Sequence, residues 1–135
     1  MRRTYLPVTV LAMSMVAVLL ALLGPRAMAV PKGEVIIGQQ VVLRVRFPAG
    51  GMTVQERVDN ITARLNKLLG IRAFDPSLIT VRRHGGDYGV LYRDELLVTA
   101  DAQTAAYNKA SAQELANLWA ANMRKVIPLA KATRP

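Results

Sequence analysis

A small α+β domain is the fold class the sequence predicts, with a mixed or antiparallel sheet of about five short strands and two helices packed on one face. Three observations predict it. Residues 79 to 99, Ile-Thr-Val-Arg-Arg-His-Gly-Gly-Asp-Tyr-Gly-Val-Leu-Tyr-Arg-Asp-Glu-Leu-Leu-Val-Thr, read as three strands joined by two tight turns. Thr53-Val54-Gln55-Glu56 and Ser111-Ala112-Gln113-Glu114 have the capping-box form, and each leads into an apolar stripe of helical period. The chain has no cysteine, so disulfides, thiolate metal sites and thiol catalysis are excluded and a core must form by packing alone.

The chain opens on a leader. Arg2 and Arg3 precede an uncharged run that ends only at Arg26, the apolar part spans Leu11 to Leu23, and Gly24-Pro25 is followed by Ala27-Met28-Ala29. A basic start, an apolar middle, a helix breaker and an Ala-x-Ala end are the parts of a secretory signal peptide in order. Cleavage is expected after Ala29, giving a signal peptide at 1–29 and one domain at 30–135. A retained anchor is the alternative, because the run from Tyr5 to Pro25 matches the roughly 20 residues a spanning helix needs. Either form places the remaining 106 residues outside the cytoplasm, in the periplasm or secreted.

Of 18 basic residues, Arg2, Arg3 and Arg26 belong to the leader, so 15 basic residues face 9 acidic ones, a surplus of +6. In an exported protein this points away from nucleic acid and toward an anionic envelope polymer or lipid, with a solvated surface kept soluble by its charge as the alternative. Membrane association is expected only where the leader is retained.

After a loose lead-in at Val30 to Gly33, Val35-Ile36-Ile37 forms a first strand and Val41 to Phe47 a second. Alternation assigns Leu43, Val45 and Phe47 to the buried face, with Val42, Arg44 and Arg46 opposite. Pro48 to Gly51 ends that strand, and Thr53 caps a helix over 54 to 69 whose stripe is Val54, Val58, Ile61, Leu65 and Leu68. Polar Arg57 occupies the position where a hydrophobic staple would place an apolar side chain. Gly70 stops the helix. Asp75-Pro76 marks a connecting loop with Phe74 as a plug at the sheet edge. The meander follows, with reversals at His84-Gly85-Gly86-Asp87 and Arg93-Asp94-Glu95. Its last run, Leu96 to Thr99, is too apolar for an exposed edge and is expected inside the sheet. Asp101 to Lys109 is a polar crossing with a short helical turn, and Ser111 caps the second long helix. Pro128 is expected to end it, with Lys131 to Pro135 a frayed tail.

No catalytic, cofactor or metal constellation emerges. His84 is the one imidazole, and a single His without a second ligand in motif spacing is better explained as a turn residue. No serine sits in a Gly-x-Ser-x-Gly elbow. Gly50-Gly51-Met52-Thr53 leads to a helix amino end but lacks the lysine of a phosphate loop. Trp119, Tyr88 and Tyr92 could stack a sugar, although Trp119 lies on the apolar stripe of its helix. The candidate anion-binding residues are Arg44, Arg46 and Arg82, which alternation places on one face; they form a patch if their strands are neighbours.

The block Gly50-Gly51-Met52-Thr53-Val54-Gln55-Glu56-Arg57-Val58 with Ile61, Arg64 and Leu65, the Gly86-Asp87-Tyr88 turn, the run Leu96 to Ala102 and Leu115 to Ala120 resembles a periplasmic module. That module stands ahead of the pore in some bacterial small-conductance mechanosensitive channel proteins and also occurs in short exported proteins of uncharacterised role. The resemblance covers about residues 34 to 128. It implies no catalytic residue, and it implies scaffold positions at the glycine turn, Glu56-Arg57 and Leu96 to Asp101. The segment after Ala29 holds no transmembrane run, so conduction is not implied; the resemblance implies instead a regulatory or sensing role by association with an envelope protein. The expectation from residues and resemblance together is an exported, non-enzymatic accessory or binding domain of the bacterial cell envelope. The rival is a small envelope hydrolase acting on cell-wall glycan, which needs two facing carboxylates in a cleft.

Overall fold

The computed structural model describes residues 33–134, so the expected leader, its cleavage point after Ala29 and the lead-in through Lys32 lie outside the described residues. Gly33 itself is not loose. Its carbonyl accepts from the Val45 amide at 2.7 Å, its φ is +87°, and a Cβ there would stand 1.9 Å from the Val45 carbonyl oxygen. Only glycine lets the backbones approach so closely.

The elements run in the order β1 (Glu34–Ile37), β2 (Gln40–Arg44), α1 (Val54–Leu69), a 3-10 turn (Pro76–Leu78), β3 (Ile79–His84), β4 (Asp87–Tyr92), β5 (Glu95–Ala100), α2 (Ala102–Tyr107) and α3 (Ala112–Ala132). The fold is α+β, with five short strands, all paired antiparallel. They divide into a two-stranded sheet, β1-β2, and a three-stranded meander in the order β3-β4-β5. Helix α3 packs on strands of both sheets and α1 on β1, β5 and α3, so the helices join the sheets into one core. Val35, Val42, Leu65, Ile79, Val90, Leu97, Met123 and Ile127 are all fully buried there.

Both sheets carry one extra residue, and the first corrects a predicted face. In the first, Val35 pairs with Leu43 but Ile36 pairs with Val41, so Val42 is the inserted residue. A bulge turns two consecutive side chains the same way, and Val42 is buried beside Leu43 instead of facing water with Arg44. In the second, Val90 pairs with Val98 and Leu91 with Leu96, so Leu97 is inserted and is buried beside Val98. Strict alternation misses both because each bulge shifts the period by one residue. β5 also proves to be an edge strand, not an internal one. Its apolar side chains are covered by α1 and α3, which removes the need for a strand on each side.

The turns and caps follow local chemistry. His84 pairs with Asp87, and of the two glycines between them only Gly85 uses positive φ, at +62°. Thr53 and Ser111 are N-caps with complete capping boxes, and Asp101 caps α2 through the Thr104 amide. The chain leaves α2 by a Schellman ending: Ala110 N–H donates to the Ala105 carbonyl, Lys109 N–H to that of Ala106, and Lys109 holds φ +54°.

The Glu114 carboxylate is held below its ordinary value of 4.5, first by the hydrogen bond with the Ser111 backbone and then by that with the Ser111 side chain. A lowered folded-state value means that the cap's stabilisation is fully present above pH 4.5 and is lost as pH falls through the folded value. Glu114→Gln should therefore lower Tm at neutral pH and flatten its fall below pH 4.5. Thermal melts between pH 7 and pH 2.5 check this, and parallel curves for the two proteins would refute it.

α3 runs through Pro128 to Ala132, where the sequence predicts a stop at the proline. Ile127 and Ala130 on either side are buried, and the Lys131 ammonium donates to the Leu69 carbonyl at 2.9 Å and to that of Ile71 at 2.6 Å. Packing and this tether hold the last turn against the local preference. Among the described residues no helix is long and apolar enough to cross a membrane.

Candidate functional site

The edge position of β5 sets the problem that the site solves. A strand edge carries outward carbonyls that need donors. Two arginines of α1, two turns apart, supply them: Arg57 Nη2 donates to the Thr99 carbonyl at 3.0 Å, and Arg64 Nη1 reaches the Leu97 carbonyl at 3.4 Å. Two turns of helix advance about 10 Å and two strand residues about 7 Å. Flexible arginine stems absorb the difference, and a groove lies beside these contacts.

Arg57 is the fixed end of this arrangement. Its side chain is 4 % exposed, and it also donates to the Phe47 carbonyl at 2.6 Å and to the Asp101 carboxylate at 2.9 Å. Asp101, 7 % exposed, accepts from the Thr104 amide and hydroxyl, both at 2.9 Å. One ion pair thus ties the first turn of α1, the segment after β2, the end of β5 and the cap of α2. Every side-chain polar atom buried among the described residues has a hydrogen-bond partner.

Arg64 is the free end. It is half-buried, and among the described residues it is in none of the ion pairs and the contact to Leu97 is its one hydrogen bond. It lines a groove of about 400 Å³, whose floor is apolar, with Ile61, Leu96 and Val98, and whose rim carries Asn60, His84 and Asp87. Gly89 makes room for one of these residues: a Cβ there would stand 2.7 Å from Leu96 Cδ1, so glycine lets the Leu96 side chain pack against β4. The loop at Gly50 closes one end, with Gly50 and Gly51 at φ +60° and +74° and the Ala49–Met52 bridge pinching it shut.

The three arginines expected to pool their charge do not share a sheet. Arg44 lies on β2 and Arg82 on β3, strands of different sheets, so the adjacency that a common patch requires is not met. Arg44 donates to Glu34 at 2.7 Å, Arg82 to Asp94 at 3.2 Å, and the Arg46 guanidinium stands 4.9 Å from the centre of the Tyr107 ring. His84 and Asp87 share the groove rim without forming an ion pair. Of the aromatic trio, Trp119 and Tyr92 are buried, the latter stacked on Phe74 at 5.2 Å, so they offer a sugar no platform. Among the described residues no three His, Cys, Asp or Glu side chains gather as a metal site would require.

Most carboxylates have structural tasks. Glu56 and Glu114 complete capping boxes, Asp59 accepts from Gln55, Asp75 from Ser77, and Glu34, Asp94 and Asp101 pair with arginines. Hydrogen bonds from the Ser77 side chain and backbone hold Asp75 below its ordinary range. Asp87 and Glu95 are left without such a partner.

The scaffold positions Arg57 and Asp101 are implied by the resemblance, but their pairing, and the role of Arg64 beside them, are missed by sequence reasoning. A signal existed: Arg57 breaks the apolar run at the staple position, and Asp101 stands three residues before Thr104, a cap spacing. What pairs them is tertiary, across 44 residues.

Residues 34–130 match the model of a family described as "Domain of unknown function (DUF8459)", from the first residue of β1 to within two residues of the end of α3. No curated protein and no solved structure matches the chain.

Proposed function

We propose, from the premise that the chain belongs to the DUF8459 family of domains, that it is an exported binding domain of the bacterial cell envelope. It holds a partner in the groove between α1 and the His84–Asp87 turn and carries out no chemistry on it. The observation that carries this reading is Arg64, a half-buried guanidinium with no acidic partner set beside an apolar floor. Such a combination of apolar lining and a few placed polar groups suits a binding cleft. The export half of the proposal rests on the order Arg2-Arg3, apolar run, Ala27-Met28-Ala29. A glycan hydrolase is the weaker reading, because its two carboxylates must stand about 5 to 9 Å apart across a cleft. The groove is lined by one carboxylate, Asp87.

The test is expression of the full chain in a bacterial host, with sequencing of the mature amino terminus and crosslinking in intact cells. The expected result is protein beginning at Val30 outside the cytoplasm, with crosslinked or sedimenting material reduced at least threefold by Arg64→Gln. Full-length protein in the cytosol, or retention equal in the two proteins, would count against the proposal.

A further inference from the structure

We infer that the groove beside β5 takes an anionic amphiphile: one carboxylate or phosphate head on an unbranched apolar chain, with Arg64 as the head-group residue. The inference rests on the binding-domain reading above and names the ligand chemistry of the same groove.

Four observations lead there. A guanidinium offers five N–H donors in a planar fork, and Arg64 uses one, at a long 3.4 Å. The unused donors match the two oxygens of a carboxylate or the oxygens of a phosphate, which an arginine fork binds in bidentate fashion. The neighbouring cation, Arg57, is neutralised by Asp101 and committed to two carbonyls, so charge on the α1 side of the groove belongs to Arg64. The floor of Ile61, Leu96 and Val98 has no use for a polar body, and Gly89 makes the room in which Leu96 packs.

Size narrows the class. A volume of about 400 Å³ equals roughly a dozen water-sized units at about 30 Å³ each. That accommodates a head group and a chain of about eight to ten carbons, and it is too small to enclose a helix, which is itself about 10 Å across. An added β-strand is also disfavoured, because the outward carbonyls of Leu97 and Thr99 already accept from the two arginines. Asp87 also lines the groove and repels a second negative charge, which favours a single anionic head at Arg64 with its chain on the apolar floor.

The experiment titrates isotopically labelled protein with decanoate, decyl phosphate, decanol and decylamine, following the Arg64 Nε–Hε resonance and the groove amides. The expected result is that decanoate or decyl phosphate shifts the Arg64 signal and binds at least about tenfold more tightly than decanol. Arg64→Gln should remove that advantage while the other amide signals stay in place, and Arg64→Lys should keep part of it. Which of the two anions binds better identifies the head as carboxylate or phosphate. Equal binding of decanol, or tighter binding of decylamine, would overturn the ligand class while leaving a binding groove. No shift at the groove with any of the four would overturn it as well. The envelope-retention comparison of Arg64→Gln then judges the binding-domain reading separately.

Discussion

Arg57→Met is expected to lower the unfolding free energy by about 3–5 kcal/mol, a large part of what a domain of this size possesses. The wild-type guanidinium is buried, and it is the shared donor to Asp101, Phe47 and Thr99. Met fills much of the same space, so the loss comes from what is left behind. Asp101 keeps its bonds from Thr104 but becomes an uncompensated buried charge, and two carbonyls lose their donor. Asp101→Leu alone should be similarly harmful for the reciprocal reason and because α2 loses its cap. The double variant should recover at least about 1.5 kcal/mol of the summed losses, since replacing a buried pair by apolar groups is often near neutral. Urea unfolding of the four proteins measures this coupling. Strictly additive losses, or a single-variant loss under about 1 kcal/mol, would show that the pair does not hold these elements together.

The buried pair also marks where sequence reading runs out. Caps at Thr53 and Ser111 and the turn at Gly85-Gly86 are legible because their chemistry is complete within four residues. The meander is legible for the same reason, each strand being bounded by its own turn. The bulges at Val42 and Leu97 are not, since an inserted residue obeys no period and its neighbour across the sheet must be known to place it. Edge and centre of the meander likewise depend on what covers the strands, and α1 covers β5 from a distant part of the sequence. Arg44, Arg46 and Arg82 show the corresponding error in site reading. Exposure of these residues can be read from alternation, but each has a partner of its own, Glu34, Tyr107 and Asp94, and the strands of Arg44 and Arg82 belong to different sheets. The groove itself is assembled from the Gly50 loop, one face of α1, the His84 turn and an edge strand, and no short motif spans those pieces.

Pro128→Ala is the second large effect, and it runs the other way, with a gain in stability of about 2 kcal/mol expected. A proline inside a helix costs about 3 kcal/mol, because the Arg124 carbonyl loses its amide donor and the ring crowds the preceding turn. Pro128 is half-buried, so the smaller alanine gives back part of that gain as lost apolar cover. The helix survives the proline at present because Ile127 and Ala130 are buried and Lys131 grips the Leu69 and Ile71 carbonyls beyond the end of α1. With alanine the last turn should hold without that grip. Lys131→Met should then cost measurably less in the Pro128→Ala background than in the wild type, a coupling readable by thermal unfolding and by amide exchange over Leu129 to Ala132. Unchanged or lower stability on Pro128→Ala would mean that the ring packs well enough to offset its own strain. In that case Lys131 would not be what carries α3 past residue 128.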